Sequence, residues 1–280
     1  MIKKLTILLI CINILNLINA QAIDTLIDVG GHKLHFNITM GSGTPILFEA
    51  GNGDDGSVWQ PILADIHKQI NATLITYDRA GLGKSEIDTS RISILNEIKA
   101  LEVGLKRLGY SKSIFVVSHS FGSYYSTLYV RRNREKVKGV VFIDVLTPCY
   151  FTKQRAKDTK ESISKDDWVI IKKEAIGLYY VLKNLESIYE YTKDKQLPSN
   201  IPTTIIGADI PPPIVKENER DEWKTCLKSF GELPNHSYIL AKNSGHKVWK
   251  DNPRLVMNEI IKLYRQVTKI NDKRKPIRSL

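Results

Sequence analysis

Cysteine is scarce. Cys11, Cys149 and Cys226 are the three in 280 residues. Neither Cys149 nor Cys226 has a second cysteine or a histidine at ligand spacing, so no structural metal is expected from them. Internal repeats are absent, which removes solenoids and propellers. Long apolar runs are also missing. The one at Leu5–Leu17 is interrupted by Asn13 and Asn16, and is too short and too polar to span a bilayer. Basic residues are in surplus, but the clusters "RRNREKVK" (131–138) and "NDKRKPIR" (271–278) carry no interleaved aromatics. They read as solvated surface, and no nucleic-acid partner is expected.

What is present at the start is an export pattern. Lys3 and Lys4 precede the apolar run, and Ala20 and Ala22 in "NAQA" form an A-x-A cleavage site. The expectation is a signal peptide over 1–22 and one exported domain over 23–280, periplasmic or secreted. A lipid anchor on Cys11 is disfavoured because Ile10 stands where a small residue is wanted. Without Lys3 and Lys4, 39 basic residues face 30 acidic ones, a net charge of +9. Cys149 and Cys226 would remain, and an oxidising compartment permits a disulfide between them.

The mature chain alternates strand-like and helix-like segments. "LIDVGG" and "KLHFNITM" read as an opening antiparallel hairpin, and "PILFEAG" (45–51) as a strand ending in the glycine- and aspartate-rich loop "NGDDGS". "ATLITYD", "SIFVV", "GVVFID", "PTTIIGAD" and "SYILAK" read as further strands. Helical stripes lie between them, such as Ile94, Leu95, Ile98, Leu101, Leu105 and Leu108. Strands apolar on both faces and separated by helices predict a mostly parallel sheet covered on both sides. Residues 147–198 break the rhythm as a lysine- and tyrosine-rich helical insertion, read either as a helical pair covering the sheet or as a lid over a cleft.

"SIFVVSHSFGSYYS" (113–126) turns from strand to helix around Ser120. A serine on so tight a turn has its hydroxyl exposed above the sheet edge at a helix N-terminus. The positions two before and two after it must be small, and Ser118 and Gly122 are. A nucleophile needs a base and a group to hold that base. His246, in a loop after the final strand, is where the base would descend; His32, His35, His67, His119 and His236 are placed in structural positions. For the acid, register puts Asp144 first, Asp209 second and a residue of "KENERDE" (216–222) third, the first two at carboxyl ends of strands. An oxyanion needs two N–H donors, and those of Asn52 and Phe121 are the candidates.

Together "FEAGNG", "YDRAGLGKS", "SHSFGS", "FID" and "SGHKVW", in that order across residues 28–266, resemble the α/β-hydrolase family. The resemblance implies that fold with a helical lid at about 147–198, a triad of Ser120, Asp144 and His246, and oxyanion donors Asn52 and Phe121. Asp78 and Arg79 are then a fold-holding pair. The elbow glycine of the family's G-x-S-x-G is here Ser118, and the family's common acid position falls nearest Asp209, one residue early. Dehalogenases and epoxide hydrolases of this fold carry an aspartate at the elbow, which Ser120 is not. The implied activity is hydrolysis of a small-molecule carboxylic ester or lactone, without metal or organic cofactor. Esterases that open macrolide antibiotics are a specific case; a proline iminopeptidase-like amidase and a non-catalytic binding protein are the alternatives.

Overall fold

The computed structural model of the chain describes residues 22–268. The expected signal segment up to Gln21, Cys11 within it and the basic tail 271–278 lie outside the described residues.

Eight strands form one sheet: β1 (Ala22–Asp28), β2 (Lys33–Thr39), β3 (Gly43–Glu49), β4 (Ala72–Tyr77), β5 (Ile114–His119), β6 (Val137–Ile143), β7 (Thr203–Ala208) and β8 (His236–Ala241). Their order is β1-β2-β4-β3-β5-β6-β7-β8; β1–β2 and β2–β4 pair antiparallel and all later pairs are parallel. Among the described residues ten α-helices accompany them: α1 (Gln60–Ile70), α2 (Ile94–Arg107), α3 (Gly122–Arg132), α4 (Lys153–Glu161), α5 (Lys165–Glu174), α6 (Ile176–Lys183), α7 (Leu185–Thr192), α8 (Arg220–Gly231), α9 (Val248–Asp251) and α10 (Pro253–Thr268). This is the mostly parallel, doubly covered sheet that the alternating segments predict, and the α/β-hydrolase fold that the motif resemblance implies.

Period-2 geometry explains why the central strands are apolar throughout. In β5, Ile114 and Val116 enter one core while Phe115 and Val117 enter the other. β6 divides in the same way, Val140 and Phe142 against Val141 and Ile143. The first core lies beneath α2, α3, α8 and the inserted helices; the second lies beneath α1, α9 and α10. With both faces covered, the carboxyl-end edge of the sheet is left for chemistry.

The insertion differs from a helical pair. It is four short helices, α4 to α7, because the sequence supplies repeated caps and breaks. The Thr152 side chain accepts from Arg155 N–H to start α4, and that of Ser164 accepts from Asp167 N–H to start α5. Asn184 ends α6 by donating its side-chain amide to Tyr180 O at 2.9 Å. α5 buries no residue at all.

Asp78 and Arg79 do not pair with one another. Arg79 meets Glu49 at 2.5 Å, whereas Asp78 accepts from Gly56 and Lys84 N–H and bonds His35. Adjacent side chains diverge here, so each serves a different neighbour. Cys149 and Cys226 form a disulfide with a Cα–Cα distance of 5.6 Å. It joins the start of the insertion to α8 across 77 residues, which in a chain-entropy picture stabilises by about 4.5 kcal/mol.

Candidate active site

Ser120 follows β5 directly and precedes α3. Among the described residues, five non-glycine residues have positive φ. Three are asparagines, which tolerate it; the other two are Ser120 at +53° and Asp144 at +42°. Such strain costs about 1–3 kcal/mol per residue and persists only where the surroundings impose it. At the serine they do: a Cβ on Gly122 would lie 2.4 Å from Ala50 O and 3.1 Å from Ser118 Oγ. Glycine is therefore obligatory at 122, while Ser118, fully buried, fits where a larger side chain would not.

Asp144 follows β6 and is completely buried. Its own N–H donates to Ile206 O at 2.7 Å, which fixes the turn. Oδ1 accepts from Ala208 N–H at 3.1 Å and from Trp223 Nε1–H at 3.2 Å. Oδ2 lies 2.6 Å from His246 Nδ1, and His246 Nε2 lies 2.8 Å from Ser120 Oγ. The structure thus brings Ser120, His246 and Asp144 into one hydrogen-bonded line. Asp209, the second candidate acid, is held elsewhere: it accepts from Asn243 N–H at 3.2 Å and Lys224 Nζ at 3.3 Å. The bond from Asn243, then that from Lys224, lowers its pKa. In "KENERDE", Glu219 and Glu222 are engaged by Arg155.

Asn52 and Phe121 border the same cavity as Ser120 and His246. Among the described residues neither main-chain N–H finds an acceptor, so both remain open to a bound group. The loop carrying Asn52 is pinned from below. Arg79, 3% exposed, donates to Ala50 O at 2.7 Å and Gly51 O at 2.6 Å while pairing with Glu49. Tyr77 also donates to Glu49. Burial raises the Glu49 pKa against the pull of Arg79.

His119 contributes more than a filled space in the core. Its Nε2–H donates to His246 O at 3.1 Å, and the two rings lie 4.4 Å apart. Burial, then the neighbouring His246, drives its pKa well down, so it stays neutral and fixes the main chain of the base without competing for protons. Trp249 meets it edge-on at 4.6 Å. Sequence reading missed this because the contact joins β5 to a loop 127 residues away.

The cavity above Ser120 has a volume of about 300 Å³. Phe121, Leu146, Phe151, Leu182, Leu185 and Trp223 make its apolar wall. Arg155, Asp158, Lys216 and Glu219 stand at its polar side. A second cavity of about 210 Å³ behind Leu146 reaches the disulfide but none of the three aligned residues. Among the described residues, no group of three or more His, Cys, Asp or Glu side chains could hold a metal ion, and no helix is long and apolar enough to cross a membrane.

Residues 44–166 match the profile of the family described as the alpha/beta hydrolase fold. The chain is 29% identical over 217 residues to the uncharacterized protein YqjL of Bacillus subtilis, covering 77% of this chain and 81% of that one. Among solved structures it resembles a thermophilic esterase from Thermogutta terrifontis, with TM-score 0.63, 17% identity, and coverage of 89% of this chain and 100% of the other. It also resembles the haloalkane dehalogenase DatA of Agrobacterium tumefaciens, with TM-score 0.66, 13% identity, and coverage of 88% and 97%. At these identities the two structures bear on fold, not on substrate.

Proposed function

We propose that this chain, which belongs to the α/β-hydrolase family, is a serine hydrolase that cleaves a carboxylic ester or lactone through an acyl-enzyme. The observation that carries the reading is the unbroken line from Ser120 Oγ through His246 to Asp144, at 2.8 Å and 2.6 Å. His246 Nε2 takes the Ser120 proton as Oγ attacks the carbonyl carbon, and Asp144 stabilises the imidazolium that results. The oxyanion accepts from the N–H groups of Asn52 and Phe121. Collapse expels the alcohol, which takes its proton from His246; water then repeats the sequence and releases the acid.

Dehalogenation is the chemistry of one structural relative, but the nucleophile argues against it here. Displacement of halide by a carboxylate gives an ester that water can open. Displacement by Ser120 would give an ether, which has no carbonyl for water to attack. The mostly apolar cavity suits a bulky, partly apolar substrate, and macrocyclic lactones of the macrolide type are one class within the proposal. Export is part of the same proposal, supported by the amino-terminal pattern and the Cys149–Cys226 disulfide.

A second reading rests on Asp158, whose carboxylate lines the cavity with Gln154 as its hydrogen-bond donor at 2.6 Å. An amidase of the iminopeptidase kind needs such an acid to bind a free amine. Short p-nitrophenyl esters and proline p-nitroanilide, each with wild type and Ser120→Ala, separate the readings. Esterolysis that falls about 10⁴-fold in Ser120→Ala supports the first. Equal esterolysis by both proteins removes Ser120 as the nucleophile, and turnover of the anilide alone favours the second.

A further inference from the structure

Asp144 is held by a residue from outside the sheet. Of the three groups that bond its carboxylate, Ala208 N–H and His246 belong to the sheet edge and the loop after β8, but Trp223 comes from α8. The indole is 3% exposed, stands 6.3 Å from the His246 ring and lines the substrate cavity. Its neighbours on α8 are tied to one stretch of chain, residues 149–155 at the root of the lid. Cys226, about one turn further along, is bonded to Cys149. Glu222 receives both ends of the Arg155 guanidinium, at 2.9 Å and 2.7 Å. Tyr150 meets Trp223 edge-on at 4.9 Å, donates to Glu219 at 2.8 Å, and carries the Arg155 guanidinium 3.9 Å above its ring. Disulfide, ion pair and aromatic contact therefore converge on the part of α8 that presents the indole.

We propose that Trp223 is a positioning residue for the triad acid, and that the Cys149–Cys226 bond and the Arg155 clamp are the strap that keeps its N–H on Asp144. The proposal rests on Ser120, His246 and Asp144 being the catalytic triad. The indole donor drains charge from Oδ1, so it both aims the carboxylate and moderates its hold on the imidazolium. Without it, the carboxylate holds an imidazolium more tightly, and the acid limb of the activity profile moves to higher pH. Other titratable groups face this pair. They are His119 from β5, Lys247 bonded to Asp54, Tyr238 from β8, and Arg155, Asp158, Lys216 and Glu219 at the cavity. The substitution at Trp223 alters none of their charges, so a shift would report on the acid.

The test is the pH profile of kcat/KM for p-nitrophenyl butyrate, with kcat and KM resolved separately. Proteins compared are wild type, wild type reduced with a phosphine, Trp223→Phe, the double variant Cys149→Ser with Cys226→Ser, Arg155→Lys, and Ser120→Ala. Trp223→Phe should lower kcat about tenfold or more, with its acid limb moved to higher pH. The reduced enzyme and the double variant should move the same way by less, and reducing Trp223→Phe should add nothing. If Trp223→Phe folds poorly, reduced wild type and Arg155→Lys carry the test alone. A change confined to KM, or an unmoved acid limb with Ser120→Ala inactive, would falsify the positioning role. An effect of Trp223→Phe that reduction fails to reproduce overturns the strap. Activity retained in Ser120→Ala instead overturns the triad beneath both.

Discussion

Asp144 and Val169 mark the extremes of this molecule. Asp144 is fully buried at the carboxyl edge of the sheet, in a strained turn, with three donors on its carboxylate. Val169 is 68% exposed on α5, a helix that buries none of its ten residues. Both oxygens of the Asp144 carboxylate are bonded; around Val169 there is little to commit to. Packing as dense as that at the sheet edge holds reacting atoms to fractions of an ångström, and it makes substitution expensive. Among the described residues, the outer lid at α5, unlike the lid root at residues 149–155, has no bond to those that hold the triad. Changes at the sheet edge should therefore appear in kcat and stability, and changes on the outer lid in neither.

The largest contrast should come from the two aspartates. Asp144→Asn removes the carboxylate that faces the imidazolium, and kcat should fall about 10²- to 10⁴-fold. Asp209→Asn, which touches Lys224 and Asn243 instead, should stay within about threefold. Steady-state esterolysis of the pair reads both; a large loss at Asp209 would place the acid where family habit puts it. Next in size is Arg79→Ala. It strands a buried Glu49 and frees the carbonyls of Ala50 and Gly51. Urea unfolding at pH 7 should show a loss of about 3–5 kcal/mol, while the same change at exposed Lys165 on α5 should be silent.

The sheet edge was legible in the sequence for the same reason that it is fragile. Its strands are apolar on both faces because both are covered, its turns demand Gly122 and a small residue at 118, and the motif order follows the strand order. Ser120, His246, Asn52 and Phe121 could be placed from the motifs, with Asp144 the first of three possible acids; the structure gathers those four around one cavity and sets Asp144 behind His246. Illegible were the contacts that cross the sheet order. Arg79 to Glu49, His119 to His246 and Trp223 to Asp144 each join residues 30 or more apart, with no periodicity to announce them. The division of the insertion into four helices was not legible because its breaks are made by caps such as Ser164 and Asn184. Such residues are as common on helix surfaces as at helix ends.

A smaller effect, dependent on pH, is expected beneath the oxyanion loop. Burial pushes the Glu97 carboxyl up to about 7, with Arg79 pulling the other way. An unfolded glutamate titrates near 4.5, so the folded protein binds this proton more tightly than the unfolded chain does. That contribution to stability is complete below pH 4.5 and is lost as the pH rises through 7. Glu97→Gln keeps an acceptor for the Tyr125 hydroxyl, now at 3.2 Å, without the charge. The variant should match wild type at pH 4.5 and exceed it at pH 8 by on the order of 1–2 kcal/mol, the full shift being reduced by partial solvent access. Unfolding midpoints at the two pH values decide it, and an equal gain at both would mean that titration is not the cause.

The smallest expected effect lies at the far end of the lid. Val169 and Ile170 are 68% and 56% exposed, so little apolar area returns to water when they become serine. Helix propensity hardly changes, because valine, isoleucine and serine rank together. α5 is anchored elsewhere: Trp168 packs edge-on against Tyr179 at 5.6 Å and lies beneath Lys183 Nζ at 4.3 Å. Val169→Ser with Ile170→Ser should shift stability by less than about 1 kcal/mol and leave kcat and KM for a small ester unchanged. Thermal unfolding and steady-state kinetics on the same preparation measure both. A raised KM with kcat intact would show that substrate reaches the tip of α5, and would extend the binding surface well beyond the cavity wall. A lowered kcat would mean that motion of the outer lid is coupled to the triad, and the division between a committed sheet edge and a permissive lid would fail.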